Sequence, residues 1–272
     1  MEFTNFFVIF DPTQERQPAL ERTALIAGET DINVHVFACI HADIPKSSGQ
    51  LAAQRELIKR QKEVLGEAVA PMLAQGVTVT TEVEWDKDWC AAAVRASIKN
   101  DAHVVMKSST PHTPGQRMFN RTSDWTLIRE CACPVMLIKQ STDQTSRKVL
   151  AAIDVREGDE SYAHLNEHIL EFTRRVADRN MAEVHFINAH RDLASAPDRH
   201  ALIRNFGIDS DKMRIRLGDP EDVIVDNAKE LNASLVVIGN AARSGWSALM
   251  NGNTVEKIVD RLDCDVLSMP SG

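Results

Sequence analysis

The chain has 272 residues and a formal net charge of -8. That length suits one large domain or two small ones, each able to bury a core. A hydrophobic fraction of 43% and a charged fraction of 26% are ordinary for a soluble globular protein. The acidic balance argues against a general nucleic-acid binder and against anionic membranes, because both require a basic face. No stretch approaches the roughly 18–20 apolar residues of a membrane span. The opening MEFTNFFVIF lacks a positive leader and a small-residue cleavage site and reads as a first strand. The five cysteines are an odd number, mostly inside apolar runs, which fits a reducing, cytoplasmic setting.

In chain order the first half predicts strands near 5–11, 34–41, 77–85, 102–108 and 133–139, and helices near 16–28, 49–75, 88–99 and 122–131. The segment Gln140–Lys148 is polar and turn-rich and reads as a linker, which makes residues 1–141 and 148–272 the two domains with 142–147 between them. The second half predicts strands near 147–154, 182–190, 212–217, 234–239 and 264–269, and helices near 160–179, 195–205, 220–231 and 253–262. Short apolar runs alternating with helical patterns indicate a parallel sheet covered on both faces. With right-handed crossovers, each half becomes a doubly wound α/β domain. Leu165, Ile169, Leu170 and Phe172 form a helical stripe. Asp219, Pro220, Glu221 and Asp222 form a helix start, with Asp219 as the cap. Gly28, Gly66 and Gly76 mark stops or weak points.

The halves are copies of one layout. FFVIFDP (6–12) lies over KVLAAIDV (148–155), placing Asp11 over Asp154. AHVVMK (102–107) lies over SLVVIG (234–239), and CPVMLIK (133–139) over CDVLSMP (264–270). The first half carries about a dozen extra residues, which the long helical stretch 47–75 accommodates.

The copies differ where an anion would sit. After SLVVIGN (234–240) comes the loop AARSGWSALMNGNT (241–254), which closes on Gly252, Asn253 and Thr254 as an amphipathic stretch begins. A strand, a glycine-bearing loop and a helix N-terminus suit a phosphate, because the first turn of a helix carries unpaired N–H groups and a partial positive charge. In the first half the matching region is KSSTPHTPG (107–115), ending at Asn120, Arg121, Thr122 and Ser123, with Lys107 in place of the first glycine.

Taken together, the aspartates ending the first strands, the Gly218–Pro220 turn, VVIGN with its Gly252–Thr254 helix start, and the final TSDWTLIRECACPVMLIK and GNTVEKIVDRLDCDVLSM resemble a tandem universal stress protein over nearly the whole chain. The resemblance implies two Rossmann-like domains of the adenine nucleotide alpha hydrolase-like type. Nucleotide-binding members carry Gly-x2-Gly-x9-Gly-[Ser/Thr], and the matching positions here are Gly239, Ala242, Gly252 and Asn253. Two of the four depart, although Thr254 offers a hydroxyl one residue late. The resemblance therefore implies no family-type ATP site in the first repeat. It leaves ATP as one candidate for the second. It also implies a pseudo-dimer of the two repeats joined through their last strands; a homodimer of the chain is a further expectation.

The candidate ligand-binding residues are Asp154, Gly239, Arg243, Ser244, Gly252, Asn253 and Thr254. Asp154 ends a strand where open parallel sheets bind ligands. By resemblance it would hydrogen-bond an adenine or similar ring; otherwise it caps the next turn. Asp11, followed by Pro12, favours the turn. Arg243 is able to pair with a phosphate, or the loop's glycines serve backbone geometry alone. Cys133 aligns with Cys264, and both read as buried thiols; one C-x-C falls short of a zinc set. His164 and His168 share a helix face but have no fixed third ligand, so no metal is expected. Trp85 and Trp89 either line a pocket at the sheet edge or staple the next helix, and an apolar ligand is the other candidate. No Ser/His/Asp or Cys/His spacing and no P-loop is present, so no catalytic residue is assigned. These readings lead to a non-enzymatic stress-response protein that binds a small ligand in its second domain. A slow ATPase, or an interaction protein with both sites degenerate, is the alternative.

Overall fold

The computed structural model describes residues 3–45, 49–109, 117–139, 145–155, 160–180, 182–240 and 248–271. The chain folds as two compact units. One comprises Glu2–Pro111 and Val135–Gln140, and the other His112–Pro134 and Ser141–Gly272.

The first unit holds strands β1 (Asn5–Ile9), β2 (Asn33–Ile40), β3 (Thr78–Trp85), β4 (Val104–Ser109) and β5 (Val135–Lys139), and helices α1 (Pro18–Glu29), α2 (Gln50–Ala74) and α3 (Trp89–Lys99). Its strands pair in parallel in the order β3-β2-β1-β4-β5. Phe7, Val8, Val36, Phe37, Val105, Met106 and Leu137 are almost wholly buried, as strands covered on both faces require. Gly76 follows α2 with a φ of 83°, a backbone that a glycine adopts without steric cost and that ends the helix there. Gly28 and Gly66 interrupt nothing, since α1 and α2 run through them.

In the second unit are α4 (Arg117–Glu130), β6 (Lys148–Ala152), α5 (Glu160–Asn180), β7 (Glu183–His190), α6 (Arg199–Phe206), β8 (Met213–Leu217), α7 (Pro220–Leu231), β9 (Leu235–Asn240), α8 (Ala248–Arg261) and β10 (Asp265–Pro270). Its strands pair in parallel in the order β10-β9-β6-β7-β8, the same winding as the first. Helix α4 comes from the first repeat in sequence but packs here. Leu127 and Ile128 are buried, and the buried Asn240 side-chain amide donates to the Ile128 carbonyl at 2.8 Å.

Three helix starts differ from the sequence reading. α4 begins at Arg117 rather than near 122, and α8 at Ala248 rather than near 253. α6 begins only at Arg199, because the Asp198 carboxylate accepts from the amides of His200 at 2.8 Å and Ala201 at 3.2 Å and so sets the cap there. Pro220 does open α7, but the Asp219 side chain makes no capping bond; its Oδ1 instead lies 3.3 Å from Arg191 Nε.

Candidate functional site

The site is built at the C-terminal end of the second unit's sheet. Strand β6 ends at Ala152, and Asp154 follows after Ile153. An amide side chain from the next helix grips the backbone there. Asn166 of α5 donates to the Asp154 carbonyl at 2.7 Å, and its oxygen accepts from the Asp154 amide at 3.3 Å. The first unit repeats the device. Gln17, just before α1, donates to the Asp11 carbonyl at 2.7 Å and accepts from its amide at 3.1 Å. One primary amide satisfies both backbone groups where the strand ladder has stopped, which fixes the direction of each aspartate.

Asp11 Oδ1 accepts from the Thr13 amide at 2.9 Å and the Thr13 hydroxyl at 2.6 Å, an Asx turn that uses the carboxylate to close its own loop. Asp154 is half-buried at the sheet edge.

Beside Asp154, strand β7 contributes two polar side chains on one face. Asn188 and His190 are separated by one residue, so both point to the same side of the pleat. Asn188 is 4% exposed and His190 9%. Asn188 donates to the Ile153 carbonyl at 3.0 Å. Its Oδ1, and Nδ1 of His190, are buried with no hydrogen-bond partner among the described residues. A buried polar atom left unpaired costs about 1–3 kcal/mol, so two in adjacent positions at a strand end are a significant debt. In the first unit the corresponding residues of β2 are Ala38 and Ile40, both apolar. Val155, Leu193 and Leu217, following β6, following β7 and ending β8, are exposed apolar groups around this edge.

Gly239, near the end of β9, is approached closely by a side chain. A Cβ placed there would lie 2.5 Å from Leu165 Cδ2 and 2.9 Å from Leu165 Cγ. A side chain of α5 therefore packs directly against this glycine. Gly252, Asn253 and Thr254 do not start the last helix: they lie inside α8, which begins at Ala248. Their amides are past the first turn at Gly252 and beyond, where backbone N–H groups are already bonded within the helix. Arg243 and Ser244 lie outside the described residues, as does Trp246. The structure thus ties Asn188 to the Ile153 carbonyl, one residue before Asp154, and sets Gly239 against Leu165.

In the first unit the corresponding edge is closed by its own side chains. Ser108 Oγ accepts from the Ala19 amide at 3.0 Å, occupying the first turn of α1. Lys107, which stands where the second repeat has Gly239, donates to the Ser108 carbonyl at 2.9 Å and lies 5.9 Å over the Trp89 ring. Trp85 meets His41 with ring centroids 5.7 Å apart. Both tryptophans are half-buried. Cys39 is half-buried beside the Asp86 carbonyl, and burial pushes its thiol up to about 11, which leaves it protonated and unreactive at neutral pH.

The remaining candidates are quickly placed. Cys131 and Cys264 are buried, whereas Cys133, expected in the core, is half-buried. His164 is exposed, with Nδ1 3.5 Å from Glu167. Among the described residues no group of three or more His, Cys, Asp or Glu is arranged to hold a metal, and no described helix is long and apolar enough to cross a membrane.

A family model described as "Universal stress protein family" matches residues 2–139 and again 145–270. The chain belongs to the universal stress protein family. It is a tandem member, with one match in each half. It is 26% identical to Universal stress protein E of Escherichia coli (strain K12), covering 97% of this chain and 93% of that protein. It is 27% identical to the protein of the same name from Photorhabdus laumondii subsp. laumondii, covering 99% and 96%. Among solved structures, a protein of unknown function from Pseudomonas aeruginosa PAO1 superposes with a TM-score of 0.75 at 25% identity, covering 98% of this chain and 92% of that one. A universal stress protein from Archaeoglobus fulgidus DSM 4304 shares the fold, with a TM-score of 0.74 at 17% identity over 99% and 98% of the two chains.

Proposed function

We propose that this universal stress protein is a binding protein whose second repeat holds a small nitrogen heterocycle, of the nucleobase or nucleoside class, at Asp154, Asn188 and His190. The observation that carries the reading is the pair of unsatisfied buried atoms, Asn188 Oδ1 and His190 Nδ1, beside Asp154. A ring that presents a donor to Asn188 and Asp154 and a donor or acceptor to His190, according to its tautomer, would satisfy them. The apolar rim of Val155, Leu193 and Leu217 suits the flat faces of such a ring. Leu165 over Gly239 disfavours a triphosphate placed as in nucleotide-binding relatives. The first repeat has apolar residues at both β7-equivalent positions, which supports a single ligand per chain.

Binding would act by shifting the population between two conformations with unequal affinity, and partner proteins would read the change. Thermal unfolding measured with adenosine, and separately with ATP and magnesium, tests this. Adenosine at about a hundred times its Kd should stabilise the wild type by about 2.7 kcal/mol, and Asn188→Ala should abolish the shift. Turnover of ATP that survives Asn188→Ala would replace the proposal with a phosphoryl-transfer enzyme. No response to either ligand would leave an interaction protein with both sites degenerate.

A further inference from the structure

The outer strands of the two units carry opposite charge at two matching positions, Glu82 and Glu84 on β3 against Arg214 and Arg216 on β8. Strand β3 is hydrogen-bonded to β2 alone, and β8 to β7 alone. Both therefore present one row of backbone N–H and C=O groups with no strand against it. On β3 and just beyond it, Glu82, Glu84 and Asp86 alternate onto the face covered by α3. There Lys99 lies 2.7 Å from Glu82, and Arg95 lies 2.5 Å from Glu84 and 2.7 Å from Asp86. On β8 the same face holds Arg214 and Arg216, with Lys212 just before the strand. Lys212 pairs with Glu183, and Arg214 lies 3.1 Å from Glu230 of α7. Arg216 is exposed and has no charged partner among the described residues. Three acids against two bases leave the first edge negative; on the other, Lys212 is shared between Glu183 and Asp211, 3.8 Å away, and Arg216 is the base with no acid against it among the described residues.

We propose that β3 of one copy pairs with β8 of a second copy of this chain. Both units have the same winding, so an antiparallel approach puts the α3 face of one copy and the α7 face of the other on the same side of the joined sheet. In one register Glu82 then stands opposite Arg216, Glu84 opposite Arg214 and Asp86 opposite Lys212. On the other face the same register sets Thr81 against Leu217, Val83 against Ile215 and Trp85 against Met213. Leu217, 57% exposed in the single chain, is covered there by the Thr81 side chain, with Val83 diagonally across. Opposite charges placed directly across strands attract and like charges repel. Pairing β3 with β3 would set Glu84 against itself and Glu82 against Asp86; pairing β8 with β8 would set Arg214 against itself and Lys212 against Arg216. The charges thus block each edge from its own kind and admit the other. Such a contact is heterologous, so it extends into an open chain of copies or closes into a ring.

Sedimentation velocity of the full-length protein over a range of concentrations tests this. At an ionic strength of about 0.05 M, where charges act over more than about 10 Å, mass should rise with concentration past the dimer. At about 0.5 M the association should weaken at least about tenfold. Arg216→Glu, at an exposed position, should abolish it, and Leu217→Lys, on the opposite face of β8, should weaken it independently. A monomer at every concentration in low salt, a closed dimer, or association unchanged by both substitutions would overturn the proposal.

Discussion

At the scale of single residues, the amide clamps on Asp11 and Asp154 are the most testable feature. Asn166→Ala removes two hydrogen bonds and leaves two backbone groups at a strand end without partners, so it should cost about 1–3 kcal/mol in urea denaturation. Asn166→Asp keeps the shape but loses the donor, and should cost nearly as much. The contact between Gly239 and Leu165 predicts coupling. Gly239→Ala overpacks the site and should cost about 1–3 kcal/mol. Leu165→Ala should cost about 2–5 kcal/mol through its cavity. The double substitution should cost less than the sum, because the new methyl fills part of the space the leucine left. Additive losses would show that Gly239 is not tied to that side chain.

Two equivalent histidines set a pH dependence. Burial holds His35 and His185 below the usual 6.5; Glu82 and Glu183 pull them up and Lys99 and Lys212 push them down. The unfolded chain therefore takes up these protons first. Their contribution to stability is complete above about pH 6.5 and is lost as pH falls from there toward the folded values. Glu82 and Glu183 are held below 4.5 by hydrogen bonds from Lys99 and Lys212, so their contribution persists further down and is lost as pH falls through their own folded values. Urea midpoints should fall between about pH 7.5 and about pH 5.5, and His185→Phe should flatten that slope. A midpoint constant across this range would contradict the burial assigned to both rings.

At the scale of elements, the parallel strands were legible because apolar runs such as FFVIF, HVVM and LVVIG allow little else between helical patterns. The helix starts at Arg117 and Ala248 were not. MFNRT and LMNGN read as loop because Asn and Gly favour turns, but packing of the later turns of α4 and α8 prevails over that local preference. The same error misplaced Gly252, Asn253 and Thr254 as a helix start. Asp154 was expected at a strand end and lies two residues past β6. Asn188 and His190 were missed because FINAH reads simply as strand. The signal lay in the comparison of the halves, where two polar residues on one buried face stand opposite Ala38 and Ile40. The extra length of the first half is visible as α2, 25 residues against 8 in α6. Asp198→Ala should shorten α6 and cost about 0.5–2 kcal/mol, seen as a lower unfolding midpoint.

At the scale of the whole molecule, one layout is used twice, and among the described residues the later copy buries Asn188 Oδ1 and His190 Nδ1 without partners where the first copy has Ala38 and Ile40. In the first copy Ser108 accepts from the Ala19 amide and Lys107 donates to the Ser108 carbonyl. On the proposed reading, duplication separates a copy with apolar residues at these positions from one that holds a ligand. Native mass spectrometry of the protein purified from its host, beside an Asn188→Ala and His190→Ala double variant, tests this division most directly. The account predicts one small nitrogenous molecule per wild-type chain and none on the variant. Two equivalents per chain, or an adduct carried unchanged by the variant, would contradict it.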